Sequence, residues 1–263
     1  NTQWQRDLSI SLNNIGGRLA AEGDAAGAMA AFRDSLAIRE RLAAADPSNT
    51  QWQRDLSISI DHIGDRLAAE GDATGAMAAF CDSLAIRQRL AAADPSNTEW
   101  QRDISISLER IGDRLAADGD AAGAMAAFRD SLATRERLAA ADPSNTQWQR
   151  DLSISLNKIG NRLAAEGDAA GAMTAFRDSL AIRQRLAAAD PSNTEWQRDL
   201  AVSLERLARQ HAAMGERGEA LDIARQAVAI MDRLVTLDPT NAGWTKDQAY
   251  FKSQVAAHSG TDS

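Results

Sequence analysis

The chain has 263 residues, 44% hydrophobic, 25% charged and only 5% aromatic, with a net charge of −8 and a pI near 5.0. This balance excludes general nucleic-acid binding, which demands a basic stripe, and no run approaches the ~18 unbroken apolar residues of a membrane span. A single cysteine, Cys81, leaves no internal disulfide and suits a reducing, cytoplasmic setting.

The first predicted element carries Trp4, Leu8, Leu12, Ile15 and Leu19 on one stripe, the signature of an amphipathic helix. A capping threonine with glutamine three residues on marks such a start, as in Thr50 with Gln53. Gly23 suits the left-handed position that ends it. Asp24 then caps a second helix with an apolar face of Ala28, Met29, Ala31, Phe32, Ser35, Leu36, Ile38 and Leu42. Pro47 stops that helix, because proline cannot continue one. Each helix has about 20 residues and about 30 Å of length, and the short loop makes the pair an antiparallel hairpin. Gly16, lacking a Cβ, lets the two approach closely, and the Trp and Phe columns are expected in the core.

The hairpin then recurs. Trp4, Trp52, Trp100, Trp148, Trp196 and Trp244 stand 48 residues apart, as do Pro47, Pro95, Pro143, Pro191 and Pro239. A fixed period in this range means a solenoid, whose units bury their apolar faces only against neighbours. The units are 1–48, 49–96, 97–144, 145–192 and 193–240. A helix over 241–257 follows, with Gln248 and Lys252 in the columns of Leu8 and Leu12, and reads as a polar cap before a tail at 258–263. At the other end Trp4, Leu8 and Ile15 are ordinary interior residues. That end is expected to receive preceding repeats or a domain, or to self-associate.

Ile15-Gly16, Leu19, Gly23-Asp24, Ala28, Phe32, Ser35 and Leu36 resemble the pattern of the tetratricopeptide repeat family. The usual unit of that family has 34 residues, so this one fits as a version with both helices lengthened, similar to those of kinesin light chains and large bacterial signalling proteins. The resemblance implies an all-α, right-handed superhelical solenoid of antiparallel hairpins, about eleven helices in a single array over 1–257. It also implies a concave face, lined by the first helices, that binds an extended peptide or helix of a partner protein.

Three first-helix columns vary in chemistry between units: Asn13/Asp61/Glu109/Asn157/Glu205, Asn14/His62/Arg110/Lys158/Arg206 and Gly17/Asp65/Asp113/Asn161/Arg209. By the resemblance they fall on the concave, partner-binding face; read from the residues alone, a solvated polar face fits equally. Arg150, Lys158, Arg198, Arg206 and Arg209 would make the later part of that face basic and attractive to an acidic segment. Ile10, Ile58, Ile106, Ile154 and Val202 either floor the groove or pack between successive first helices. No catalytic, metal-binding or cofactor pattern is present: His62, His211 and His258 lack ligand spacing, and the Gly-rich turns lack a phosphate-binding lysine. The expected function is a non-enzymatic scaffold for protein interaction. The alternatives are the sensor or autoinhibitory arm of a bacterial signalling ATPase or protease, and a self-assembling solenoid.

Overall fold

The computed structural model describes residues 1–259, and among them eleven helices and no strand. They are α1 Thr2–Ala21, α2 Ala25–Ala45, α3 Thr50–Glu70, α4 Ala73–Ala93, α5 Thr98–Ala117, α6 Ala121–Ala141, α7 Thr146–Ala165, α8 Ala169–Ala189, α9 Thr194–Ala213, α10 Arg217–Leu237 and α11 Ala242–Ser259. The chain groups into two compact units, Asn1–Thr134 and Arg135–Ser263, with the division inside α6. α11 runs two residues beyond the expected cap, and the rest of the expected tail, 260–263, lies outside the described residues.

Helix ends follow local chemistry. Gly23, Gly71, Gly119, Gly167 and Gly215 all take φ between 82° and 87°, the left-handed turn that ends each first helix. Asp24 Oδ1 then accepts from Gly27 N at 2.9 Å and starts α2. The start of the first helix differs from expectation. Asparagine is the cap, as in Asn49 Oδ1 accepting from Trp52 N at 3.0 Å, and Thr50 is the first helical residue. Gln53 does not fold back to complete a capping box; its Nε2 donates to Ala43 O at 3.2 Å. Asparagine one position earlier reaches the same orphan donors, and that frees the glutamine to tie α3 to the last turn of α2.

Within hairpins, Phe32 fits against Gly16, where an added Cβ would meet its Cε1 at 2.7 Å. The same contact recurs at Gly64–Phe80 and Gly160–Phe176. The interior itself departs from the sequence reading. On α3 the buried residues are Asp55, Ser57, Ser59, Asp61 and Gly64, while Trp52, Leu56, Ile60, Ile63 and Leu67 are only half-buried. A helix between two neighbours points its most central line at both, and small or hydrogen-bonded residues occupy that line because backbones approach closest there. On α1, Trp4 is 74% exposed, Leu8 53% and Ile15 49%.

Candidate functional site

The buried polar line leads to a side chain absent from the predicted core. Arg39, Arg87, Arg135 and Arg183 sit on the second helices with at most 5% exposure. An isolated buried guanidinium would cost several kcal/mol; here hydroxyls and carbonyls of the flanking first helices receive it. Arg87 shows the full set. Its Nε donates to Ser57 Oγ (3.2 Å), its NH1 to Ser107 Oγ (2.7 Å) and Asp103 O (3.1 Å), and its NH2 to Asp61 Oδ2 (2.7 Å). Ser83 Oγ donates to Ser57 O at 3.1 Å and joins the same hairpin. In the second unit Arg183 donates to Ser153 Oγ (3.0 Å) and Asp199 O (2.6 Å). Burial pushes its guanidinium down to about 10, still protonated at neutral pH.

A second latch lies beside the first. Arg6 Nε donates to Asp55 Oδ2 at 2.5 Å, Arg54 Nε to Asp103 Oδ2 at 2.6 Å, and Arg150 Nε to Asp199 Oδ2 at 2.5 Å. One aspartate of each following helix thus holds an arginine from the preceding first helix with its carboxylate. Its backbone carbonyl holds the arginine of the preceding second helix.

The predicted face divides accordingly. Asn13, Asp61, Asn157 and Glu205 are buried rather than turned to solvent. Asp61 pairs with Arg87, and Asn157 Nδ2 donates to Ser203 Oγ at 3.3 Å. Asn13, with its amide oriented to satisfy both ends, donates to Ser35 Oγ (2.8 Å) and accepts from Arg39 (3.2 Å). Arg150 and Arg198 are engaged by Asp199 and Asp247, so they do not add to a free basic surface. Asn14, Asp65, Asp113 and Arg209 are exposed, while His62, Glu109, Arg110, Lys158, Asn161 and Arg206 are half-buried. His62 stacks on Phe32, ring centroids 4.9 Å apart and 8° from parallel, and burial lowers its pKa. The half-buried isoleucine column, with Val202, lies between these lines. Sequence reading missed the Arg39 column; its signal is identity across four units beside columns that vary.

Each compact unit has a pocket lined in part by its own first helices. In the first unit Asp65, Phe80, Arg110 and Asp113 line a pocket of about 180 Å³. In the second, Phe176, Arg206, Arg209 and Gln210 line one of about 350 Å³. No group of His, Cys, Asp or Glu among the described residues is placed to hold a metal ion, and no helix is long and apolar enough to cross a membrane.

The tetratricopeptide repeat family model matches residues 9–47 and 153–191, one segment in each compact unit. Among solved structures, BtubC (BKLC) from P. vanneervenii is similar with a TM-score of 0.67 and 15% identity over 88% of this chain and 81% of that one. A P. anserina protein described as a kinesin light chain with nearly identical TPR-like repeats aligns at 0.62 and 17% identity, over 88% and 97% of the two chains. A Rap protein complexed with competence and sporulation factor aligns at 0.57 and 12% identity, over 96% and 66%. No curated protein matches the chain in sequence.

Proposed function

We propose, for a chain built of tetratricopeptide repeats in a 48-residue form, that it is a protein-interaction scaffold whose first helices receive an extended peptide or helix of a partner. One observation carries this reading. The seam arginine and serines repeat unchanged through the first four units, while the solvent-reaching columns of the first helices carry Asn14, His62, Arg110, Lys158 and Arg206 in turn. A fixed frame displaying changing side chains suits recognition along a surface, and site chemistry rather than fold must decide function. The solved complex of a Rap protein with competence and sporulation factor supports the use of such a frame for ligand capture.

A photo-reactive amino acid at Asn14 or Asn161, on the first helices, tests this against the same group at Arg33 or Arg177 on the exposed side of the second helices. Adducts with one protein partner from the first pair only are expected in cells making the protein. Adducts from the second pair alone would reject the reading.

The exposed apolar side of α1 favours a second role. Inner copies of Asp7 and Ser11, such as Asp55 and Ser59, are buried against the preceding hairpin, whereas Asp7 and Ser11 themselves are exposed beside Trp4, Leu8 and Ile15. This face has the chemistry to receive another hairpin of the same kind. Light scattering should show mass rising with concentration, and Leu8→Lys should abolish the rise; a concentration-independent monomer would end this second reading.

A further inference from the structure

The outer side of the second helices stays constant where the first-helix face varies. On α2, Asp34, Ala37 and Arg41 are exposed and share one side of the helix, being three and four residues apart. α4 and α6 carry the same trio in the same columns, and α8 carries it as Asp178, Ala181 and Arg185, again exposed. Exposed columns beside the trio have drifted, from Arg33 to Cys81 and from Ala30 to Thr174. On α10 the trio itself is broken, because Gln226 stands in the column of Asp178.

In the second unit this trio borders a broad groove of about 620 Å³ between α6 and α8. Half-buried Leu152 and Leu156 of α7 form its floor, and Glu136 stands on the α6 side. Read along α8, the order is acid, small residue, base, with ~10 Å between the charged positions. Two such helices laid antiparallel bring each Asp178 opposite the other's Arg185, with the two Ala181 at the centre. Alanine there lets the helix axes approach to about 8 Å. The Arg185 stem of the incoming helix then covers Leu152 and Leu156, and its guanidinium sits between Asp178 and Glu136.

We propose that α8 is a side-on pairing surface for a second copy of this chain. Two copies meet about a two-fold axis at Ala181, antiparallel, with Asp178 of each engaging Arg185 of the other. A stripe that faces itself must keep acid, small residue and base together, whereas the columns beside it can drift. Gln226 removes the acid, so α10 has no such match. This pairing is independent of peptide capture by the first helices and uses a surface other than the exposed side of α1.

Disulfide trapping tests it, because exposed ion pairs are individually weak and mass alone reads them poorly. All chains carry Cys81→Ser, which removes the single native thiol, and Leu8→Lys, which silences α1. The substituted positions on α8 are exposed, so the thermal midpoint should hold through the series. Under mild oxidation Ala181→Cys should link two copies about tenfold faster than Thr174→Cys, whose thiols lie ~20 Å apart in the pair. Thr174→Cys mixed with Ala188→Cys should link as fast as Ala181→Cys, because the antiparallel register sets them opposite. Adding Asp178→Arg or Arg185→Asp alone to the Ala181→Cys chain should slow its linkage about tenfold, and mixing the two reversed chains should restore it. Equal rates at Ala181 and Thr174, or no recovery in the mixture, would overturn the pairing. So would linkage at Ala181 that appears only when Leu8 is restored, which would place the contact at α1. A mixed disulfide with another protein in place of the copy, in cells oxidised intact, would overturn it too and assign the groove to a partner helix.

Discussion

The seam between α8 and α9 and the seam between α10 and α11 share one backbone plan and use opposite chemistry. The first holds Arg183 among Ser153, Ser179 and Ser203, all buried and hydrogen-bonded. One repeat later the same four columns read Met231, Ala201, Ala227 and Phe251, again buried, now within a continuous apolar cluster. Four replacements made together teach that the polar set is one cooperative unit. A hydroxyl without the guanidinium, or a guanidinium without the hydroxyls and the Asp199 carbonyl, would be a buried polar group with no partner. The outer latch survives the exchange, since Arg198 still reaches Asp247 at 2.7 Å. The polar set lets any hairpin accept the next of its kind, whereas the apolar set accepts α11. There Gln248 and Lys252 both bind Asp232, at 2.7 and 2.9 Å, so the expected polar cap is also a tether to α10.

The largest break of this comparison is Met231→Arg. It places the guanidinium of the polar seams among Ala201, Ala227 and Phe251, whose side chains offer no hydrogen-bond acceptor. A loss of about 4–5 kcal/mol is expected. Hydrogen exchange should show α11 released first, because Phe251 packs against this column. A loss below about 1 kcal/mol would show that the seams tolerate mixed chemistry.

The reverse exchange sharpens the point with smaller effects. Arg183→Ala should cost about 3 kcal/mol, through a cavity and through orphaned partners at Ser153 and Asp199. The fourfold change Arg183→Met, Ser153→Ala, Ser179→Ala and Ser203→Phe copies the last seam and should come within about 1 kcal/mol of the original chain. Urea midpoints read at constant slope measure both. Should the fourfold variant be no better than Arg183→Met alone, the set is not a unit.

What the sequence revealed follows the range of each interaction. Gly23 and Asp24 were legible because a turn and a cap involve neighbours in the chain; Asn49 was displaced by one residue because Asn and Thr both cap. The Gly16–Phe32 contact was legible in kind, as a missing Cβ beside an apolar stripe. Arg39 was not, because its partners Ser9 and Asp55 lie on two other helices and an arginine at the margin of an apolar face resembles a solvated one. Its replacement by Met231, simultaneous with serine-to-alanine changes at Ala201 on α9 and Ala227 on α10, is the trace it leaves in sequence. The same blindness made Arg150 and Arg198 look available and Asp61 look exposed. Arg206 was legible as part of a basic face, but its partial burial beside Glu205 and Arg209 depends on how α9 packs.

The smallest prediction concerns what both regions share. Asp190 Oδ1 accepts from Ser192 N (3.0 Å) and Ser192 Oγ (2.6 Å), and Asp238 Oδ1 from Thr240 N (3.0 Å) and Thr240 Oγ1 (2.7 Å). The side-chain hydroxyl first, then the backbone N–H, stabilise the ionised carboxyl and hold each pKa below the ordinary 3.8. The folded chain therefore binds these protons less readily than the unfolded chain. Their contribution is complete above the unfolded value and is lost as pH falls through the folded one. Asp190→Asn and Asp238→Asn should each flatten the acid limb of the stability profile, modestly and by similar amounts, because asparagine keeps the acceptor and removes the titration. Denaturant midpoints taken from neutral pH down to about 3 resolve this. If only Asp238→Asn flattened the limb, the linkers as well as the seams would differ between the two regions, and the contrast could no longer be assigned to the four exchanged columns alone.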